Sequence, residues 1–273
     1  MWWVLRWWEP WACPCKETGE KMEPRGIIIK SPEEVAIMRK AGRIVALILE
    51  SLAKALGPGM GTRELDVIAE KELAKHGAVS SFLGYRGFPS RLCVSVNDEV
   101  VHGIPGDRVI NTGDIVSLDM GAIYEGFQGD AAMTVGVGDI SPQAGRLLAA
   151  TREALAAGIA ACRVGARLGD VSSAIQLCAE SRGFSVVREY TGHGIGRDMH
   201  EEPQVPNFGL SGHGPTLRRG MTVALEPMVN AGSWQTKVGD NNWTVSTSDG
   251  SLSAHFEHTV AITDGEPEVL TVL

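Results

Sequence analysis

Two short segments, GDIVSLDMG at residues 113–121 and GMTVALEPM at residues 220–228, follow one pattern. Each has a glycine, a valine three positions later, then a leucine and, directly after it, an acid: Asp119 in the first segment and Glu226 in the second. A short apolar run after a glycine turn is typical of a β-strand. Two similar strands that each carry a carboxylate at the same position predict a fold of two related halves, with one acid contributed by each half.

Helix pairs repeat in the same way. Residues 31–56 have a Ser-Pro start and apolar residues at helical spacing, and residues 62–76 predict a second helix with Thr62 as its cap. A comparable pair follows at residues 141–164 and 169–183. The chain therefore reads as two copies of a unit that combines a helix pair with strands.

Two further acids lie in predicted strands. Asp130 follows Asp119 in DMGAIYEGFQGDAAMTV, which predicts a β-hairpin. A two-residue turn at positions 124 and 125 would pair residue 119 directly with residue 130 and place both side chains on one face. In HFEHTVAI, at residues 255–262, alternation places His255 and Glu257 on the face opposite the packing residues.

A histidine joins these acids in YTGHGIGRDMHEEPQV, where His193 stands between Gly192 and Gly194. Taken singly, each acid is simplest to interpret as a solvated surface group, and His193 as a loop histidine. Together, however, buried carboxylates repel one another unless something positive lies between them. Oxygen ligands with one imidazole and no thiolate suit Mn, Fe(II) or Co(II), and two ions sharing carboxylates form the two-metal centre of many hydrolases. The candidate ligands are Asp119, Asp130, His193, Glu226 and Glu257.

Composition narrows the class of protein. The chain has 273 residues, 44% of them hydrophobic and 21% charged, which is enough for a large globular core. Its net charge of -8 leaves no excess of Lys and Arg for a phosphate backbone, so we do not expect direct nucleic-acid binding. No apolar run approaches the ~20 residues of a membrane span. The odd, scattered cysteines fit a reducing cytoplasm; they are Cys13, Cys15, Cys93, Cys162 and Cys178.

Residues 1–22 differ from the rest, because they hold five of the seven tryptophans together with Cys13 and Cys15. Three interpretations compete: a tag that docks on a membrane surface or a partner, half of a metal site, or an extension of no structural consequence. Two cysteines without further ligands nearby are a weak zinc signal. We assign no role to this extension and predict one catalytic domain over residues 23–273.

Five motifs carry a resemblance to a known family over essentially residues 23–273. In chain order they are VNDEVVHGIP, SLDMGAIYEGFQGDAAMTV, GHGIGRDMHEEPQVPNF, ALEPMV and HFEHTVAIT, and they resemble the motifs of type I methionine aminopeptidases. The resemblance implies the α+β "pita-bread" fold of the creatinase and aminopeptidase group, in which a pseudo-twofold antiparallel sheet is covered by two helix pairs. It also implies the same five metal ligands as the carboxylates and imidazole above.

The resemblance further implies roles for individual residues. That family removes the N-terminal methionine when the second residue is small. By motif match, His102 contacts the substrate beside the scissile amide, His200 helps to hold its carbonyl, and Glu226 carries the proton from the attacking water to the leaving amine. The residues matched to the methionine pocket are Tyr85, Phe88, Cys93, Met199 and Trp243, of which Phe88 and Met199 depart from the Tyr and Phe common in bacterial members.

The expected cofactors are two divalent ions among Co, Mn, Fe and Zn, with Fe or Mn favoured. The expected substrates are the N-termini of nascent polypeptides. We expect the protein to be a cytoplasmic monomer, and whether it associates transiently with the ribosome is left undecided by the sequence. Two alternatives remain. A proline-directed aminopeptidase of the same fold usually has an extra N-terminal domain, which 22 residues cannot supply. A non-catalytic peptide-binding module typically loses ligands, whereas all five are present here.

Overall fold

The structure is a computed structural model that describes residues 26–273. The tryptophan-rich residues 1–22, with Cys13 and Cys15, lie outside the described residues, so the interpretations given for them stay predictions. The helices are α1 (Pro32–Ala55), α2 (Thr62–His76), α3 (Pro142–Ala161) and α4 (Leu168–Glu180). The strands are β1 (Val79–Ser80), β2 (Cys93–Val96), β3 (Glu99–Val101), β4 (Ile115–Tyr124), β5 (Phe127–Gly136), β6 (Ser185–Val186), β7 (Gly192–Gly194), β8 (Glu201–Val205), β9 (Thr222–Leu225), β10 (Met228–Asn230), β11 (Thr236–Val238), β12 (Val245–Thr247), β13 (Ser253–His255), β14 (Glu257–Ala261) and β15 (Glu268–Val269).

The start of α1 forms as its local sequence predicts. The Ser31 hydroxyl accepts a hydrogen bond from the Glu34 backbone N–H at 3.2 Å, and the Glu34 carboxylate accepts one from the Ser31 N–H at 3.0 Å. This reciprocal capping box satisfies backbone donors that the first helical turn leaves unpaired.

The predicted cap of α2 is wrong by one residue. Gly61 occupies the N-cap position, and the Glu64 carboxylate accepts from its backbone N–H at 2.8 Å. Thr62 is the first residue of the helix, and its hydroxyl accepts from the Gly106 N–H at 2.8 Å and donates to the Gly106 carbonyl at 3.1 Å. A tertiary partner has therefore taken the hydroxyl that local sequence assigned to capping.

The hairpin of β4 and β5 forms with a register different from the predicted one. Its two turn residues are Glu125 and Gly126, with φ of 48° and 79°, so residue 119 pairs with 132 and residue 121 with 130. Positive φ at both central residues is the requirement of a type I′ turn, which Glu-Gly meets more easily than Tyr-Glu. The displacement is an even number of residues, so Asp119 and Asp130 still share one face.

The large sheet has the expected symmetry. Seven of its nine strands run in the order β1-β4-β5-β14-β9-β7-β8, while β2 pairs with β4 and β15 with β14, and all these pairs are antiparallel. The two related strands β4 and β9 flank the central pair β5 and β14. Helices α1 and α2 pack on the first half and α3 and α4 on the second, each pair over its own hydrophobic cluster. The predicted pseudo-twofold sheet covered by two helix pairs is confirmed.

Helix α1 lies unusually close to β5 because two glycines face each other. A Cβ atom at Gly129 would lie 2.6 Å from the backbone nitrogen of Gly42, which no side chain tolerates. The contact brings the helix backbone directly onto the strand that carries Asp130.

Among the helices of residues 26–273, none is long and apolar enough to cross a membrane.

Candidate active site

A row of side chains runs across the middle of the large sheet. Cys93 on β2 pairs with Asp119 on β4, Asp119 pairs with Ala132 on β5, and Ala132 pairs with Glu257 on β14. Glu226 directly follows Leu225, the last residue of β9, which pairs with His258 beside Glu257. The small side chain of Ala132 therefore separates two acids, and a third lies at the end of the neighbouring strand.

Asp130 and His193 complete the group. The Nε2 atom of His193 lies 3.9 Å from Oδ2 of Asp130 and 3.7 Å from Oε1 of Glu226. Potential ligand atoms of Asp130, His193 and Glu257 all lie within 4.8 Å of one another, and all three residues are buried. The structure thus brings the five predicted ligands to one place, where three of them form a compact group suited to a cation.

The glycines beside His193 allow the neighbouring strands to pack closely against β7. A Cβ atom at Gly192 would lie 2.3 Å from the carbonyl oxygen of Ala224, and one at Gly194 would lie 2.3 Å from that of Glu202. Both neighbouring strands therefore approach β7 more closely than any larger residue would permit. The glycines on both sides of His193 predict such a close approach, and the structure shows that the approaching backbone belongs to β8 and β9.

Mutual repulsion and burial dominate the electrostatics of the acids. Burial raises the pKa of Asp119 to about 7, with a smaller lowering by a hydrogen bond from the Cys93 thiol. The pKa values of Asp130, Glu226 and Glu257 are also raised well above their usual range, first by burial and then by neighbouring carboxylates. Burial lowers the pKa of His193 to about 4, so this imidazole is neutral at pH 7 and able to bind a metal.

Unpartnered atoms show that a cation fits here. Oδ1 of Asp119, Oδ1 of Asp130 and Oε1 of Glu257 are buried without a hydrogen-bond partner. Buried polar atoms without partners are rare, and a site built to bind an ion is one of the accepted explanations. Oxygen donors with one imidazole are the ligand chemistry of hard and borderline divalent metals. The donor set therefore fits a divalent metal centre.

His200 lies next to the candidate metal ligands and its ring has a defined orientation. Its ring centroid is 4.3 Å from that of His193, and its Nδ1 is 2.8 Å from the hydroxyl of Tyr85. The rings of Tyr85 and His200 are stacked, with 25° between their planes. Desolvation and the neighbouring His193 both lower the pKa of His200 below its usual value, so this ring is neutral at pH 7.

His102 lies on another wall of the same cavity in a strained backbone conformation. Its φ is 59°, a left-handed value that histidine seldom adopts. The next residue, Gly103, is wedged against β2, since a Cβ there would lie 2.1 Å from the Val94 carbonyl oxygen. Desolvation lowers the pKa of His102 to about 4, and its ring meets the edge of Trp243 at a centroid distance of 6.5 Å. Such strain is common where a side chain must be aimed at a ligand.

An apolar cluster adjoins the acids. It consists of Phe82, Tyr85, Phe88, Cys93, Met199, Ile104 and Trp243. All of the predicted site residues, both polar and apolar, line one cavity of about 700 Å³. The cavity thus has a polar region of acids and imidazoles beside an apolar region, which is the composition of a substrate pocket.

Sequence reasoning missed three neighbours of the site. Phe82 and Ile104 join the apolar cluster, and Ile104 stands in the motif VNDEVVHGIP that contains His102. The Nε2 atom of His255 lies 3.8 Å from Glu226, whereas the sequence pattern indicates only that His255 shares a face with Glu257. That shared face was the available signal for His255, whereas its proximity to Glu226 depends on pairing between distant strands.

The sequence model of metallopeptidase family M24 matches residues 36–264 of the chain. The chain belongs to this family. It is 54% identical over 245 residues to methionine aminopeptidase 1 of Bacillus subtilis, covering 90% of this chain and 99% of the relative. It is 51% identical over 247 residues to methionine aminopeptidase of Clostridium acetobutylicum, with the same coverage.

Solved structures agree with this M24 assignment. The crystal structure of methionine aminopeptidase from Thermotoga maritima superposes with a TM-score of 0.90 at 46% identity, covering 91% of this chain and all of that one. Prolidase from Pyrococcus furiosus shares only the fold, at 22% identity and a TM-score of 0.72. The resemblance to methionine aminopeptidases and the pita-bread fold are therefore both confirmed.

Proposed function

We propose that this M24 metallopeptidase removes the N-terminal methionine from nascent proteins and peptides whose second residue is small, and that residues 23–273 form its single catalytic domain. The observation that carries the proposal is the junction of two regions in one cavity: buried acids with His193, and an apolar cluster beside them. Identities of about half to methionine aminopeptidases over 90% of the chain support the same reaction.

The metal site follows from the donor set. Asp119, Asp130, His193, Glu226 and Glu257 would hold two divalent ions among Co, Mn, Fe and Zn, with Fe or Mn favoured. When bound, such ions polarise a carbonyl and lower the pKa of water, so that hydrolysis proceeds near neutral pH.

Glu226 is the residue that moves the proton. Burial and the neighbouring Asp119 raise its pKa well above the ordinary value, which brings its proton affinity toward the working pH. We assign to it the proton of the attacking water and the delivery of that proton to the leaving amine. One of its carboxylate oxygens, Oε1, lies 3.7 Å from Nε2 of His193.

The two other histidines orient the peptide. The Tyr85 hydroxyl lies 2.8 Å from Nδ1 of His200, and we assign it as the donor. The ring proton of His200 is then on Nε2, ready to donate to the carbonyl oxygen as negative charge develops there. His102, neutral because its pKa is about 4, is placed to hydrogen-bond the nitrogen side of the scissile amide.

The apolar cluster provides the methionine pocket. Phe88 and Trp243 meet edge to face at a centroid distance of 5.2 Å and give a rigid wall. Met199 is unbranched and adapts its shape to a thioether side chain. The predicted lining of Tyr85, Phe88, Cys93, Met199 and Trp243 therefore extends to Phe82 and Ile104.

We propose that the protein acts as a monomer in the cytoplasm. The described cysteines Cys93, Cys162 and Cys178 are all free, in keeping with a reducing compartment. The acidic net charge supports peptide rather than nucleic acid as the partner. A transient contact with the ribosome, which would bring nascent N-termini to the cavity, stays a prediction.

The test is methionine release from Met-Ala-Ser by purified protein after chelation, with Mn, Fe(II) or Co(II) added back. We expect metal-dependent cleavage of Met-Ala-Ser, with little cleavage of Met-Leu-Ser or Ala-Pro-Ser. Preferential cleavage of Ala-Pro-Ser would identify the proline-directed alternative. Bound metal without cleavage of any peptide would identify a non-catalytic module.

A further inference from the structure

His255, at the end of β13, is a buried imidazole that the proposed chemistry does not use. Its exposed fraction is 2%, and neither Nδ1 nor Nε2 has a hydrogen-bond partner. A buried side chain with two unsatisfied nitrogens is costly, because each has lost its bonds to water. Such a residue is expected to acquire its partner in the working state of the site.

The candidate partners of His255 are two acids of the metal centre. Its Nε2 lies 3.8 Å from Oε2 of Glu226 and 4.0 Å from Oε2 of Glu257. The other oxygen of Glu226 faces Nε2 of His193 at 3.7 Å. The Glu226 carboxylate therefore lies between two imidazoles, one facing each oxygen.

The backbone of His255 is held firmly enough to aim its ring. The Thr134 hydroxyl accepts from the His255 N–H at 2.9 Å and donates to the His255 carbonyl at 2.8 Å. Thr134 belongs to β5, the strand of Asp130, and its hydroxyl also meets that of Ser117 on β4 at 2.8 Å. The position of His255 is thus fixed to the strands that carry the acids.

His255 stands outside the innermost group of candidate ligands. Among residues 26–273, the compact group consists of Asp130, His193 and Glu257, and it contains neither His255 nor Asp119 and Glu226. Unlike those two acids, His255 is not one of the five residues that match the ligand motifs of the family. With its Nε2 3.8 Å from one oxygen of Glu226 and 4.0 Å from one oxygen of Glu257, this imidazole is placed to donate a hydrogen bond to an acid of the centre. Side chains in that position orient metal ligands, and their loss typically lowers metal affinity or activity by about 10–100-fold.

We propose that His255 is a positioning residue of the metal centre, whose Nε2–H donates to Oε2 of Glu226 and leaves Oε1 free for the ion and the transferred proton. The proposal rests on the function proposed above, since it acts through Glu226. Closing the 3.8 Å separation to the ~2.9 Å of a hydrogen bond requires only a small side-chain movement.

The test compares His255→Leu, which removes the donor, with His255→Gln, which retains an N–H donor. The matched control is His258→Leu, because His258 lies three residues further along the chain, on β14, with its Nδ1 at 2.8 Å from the Thr271 hydroxyl. The Mn(II) affinity of protein stripped of metal by a chelator is measured by titration calorimetry. The values of kcat and KM are measured on Met-Ala-Ser, and folding is followed by thermal melting in circular dichroism. If His255→Leu does not melt cooperatively, His255→Met makes the same comparison with a more adaptable side chain.

We expect His255→Leu to weaken Mn(II) binding and lower kcat by about 10-fold or more each, with KM within about twofold. His255→Gln should recover most of both losses, and His258→Leu should match the wild type in Mn(II) affinity. Wild-type behaviour of His255→Leu would overturn the proposal, as would equal losses in the Leu and Gln variants. A wild-type protein that neither binds Mn(II) nor releases methionine would instead overturn the proposed function.

Discussion

Glu226 is the side chain on which the proposed chemistry depends most. Replacement by Gln keeps the size of the group and removes its ability to accept a proton. We expect Glu226→Gln to lower kcat on Met-Ala-Ser by about 10²–10⁴-fold, the usual contribution of a general acid–base residue. The melting temperature of the chelated protein should stay the same or rise, because the variant removes a buried charge from a group of acids.

The control for this prediction is Asp264→Asn. Asp264 forms an exposed ion pair with Arg219 at 3.0 Å, and exposed pairs contribute little to stability or chemistry. Turnover by Glu226→Gln close to that of Asp264→Asn would rule out proton transfer by Glu226.

Tyr85 illustrates how one side chain can serve two purposes. Its ring belongs to the apolar cluster, while its hydroxyl meets Nδ1 of His200 at 2.8 Å. Tyr85→Phe keeps the ring and removes the hydrogen bond, whose net contribution is about 1 kcal/mol. We therefore expect kcat of Tyr85→Phe to fall about fivefold with little change in KM. The control is Tyr124→Phe, at the end of the β4–β5 hairpin, measured in the same assay. A rise in KM at constant kcat would mean that Tyr85 acts only as pocket lining.

At the scale of elements, the contact of α1 with β5 makes the sharpest prediction. Gly129→Ala would place a methyl group 2.6 Å from the backbone of Gly42, so helix and strand must separate. We expect a loss of about 3 kcal/mol in the free energy of unfolding, at the upper end of overpacking costs. Urea unfolding of the chelated protein measures it.

Gly145→Ala provides the matched comparison for this helix–strand contact. Gly145 lies in α3, and a Cβ there meets nothing within 4 Å. Alanine has the higher helix propensity, so this variant should gain about 0.5–1 kcal/mol. Similar changes in the two glycine variants would show that close approach does not control the position of α1.

Elements whose signals are local could be predicted from sequence, and those that depend on distant partners could not. The capping box of Ser31 and Glu34 involves neighbours in the chain and was predicted correctly. Thr62 was assigned to capping, but its hydroxyl bonds to Gly106, which no local pattern reveals. The hairpin register was wrong because two adjacent turns were possible, and the choice depended on which residues accept positive φ.

The residues that line the cavity could be predicted more completely than the pairing register of the β4–β5 hairpin. Because faces alternate with a period of two, an error of an even number of residues left Asp119 and Asp130 on the correct side. Motif resemblance supplied the pocket residues, all of which line the cavity. The approach of His255 to Glu226 could not be predicted, since it joins the end of β13 to a residue beyond β9.

For the whole molecule, metal binding and pH are linked. Asp119 has a pKa of about 7 against 3.8 in an unfolded chain, and the other acids are shifted in the same direction. A group whose folded pKa is raised stabilises the fold while protonated, and this contribution is lost as pH rises toward 7. A divalent ion takes the place of the protons, so its stabilising effect should grow over the same range.

We therefore expect Mn(II) to raise the melting temperature of chelated protein by roughly 5–10 °C at about pH 7.5, given ~2.7 kcal/mol for ion at 100 times its Kd. At about pH 5.5 the shift should be much smaller, since protons compete for the same carboxylates. Scanning calorimetry measures both values, with Asp130→Asn as a variant that should lose most of the shift. A shift that is equal at the two pH values would place Mn(II) binding elsewhere on the protein.

Gly26 and Ile28 line the active-site cavity, so the polypeptide enters the described domain through the wall of its own substrate pocket. A group fused upstream is covalently joined to this wall, and a covalently linked group can reach a local concentration on the order of millimolar at a nearby site. For this enzyme, the terminus that carries an affinity tag becomes an experimental variable. Inhibition constants obtained with an N-terminal tag should be repeated on protein tagged at Leu273, because a tethered competitor would make inhibitors look weaker than they are.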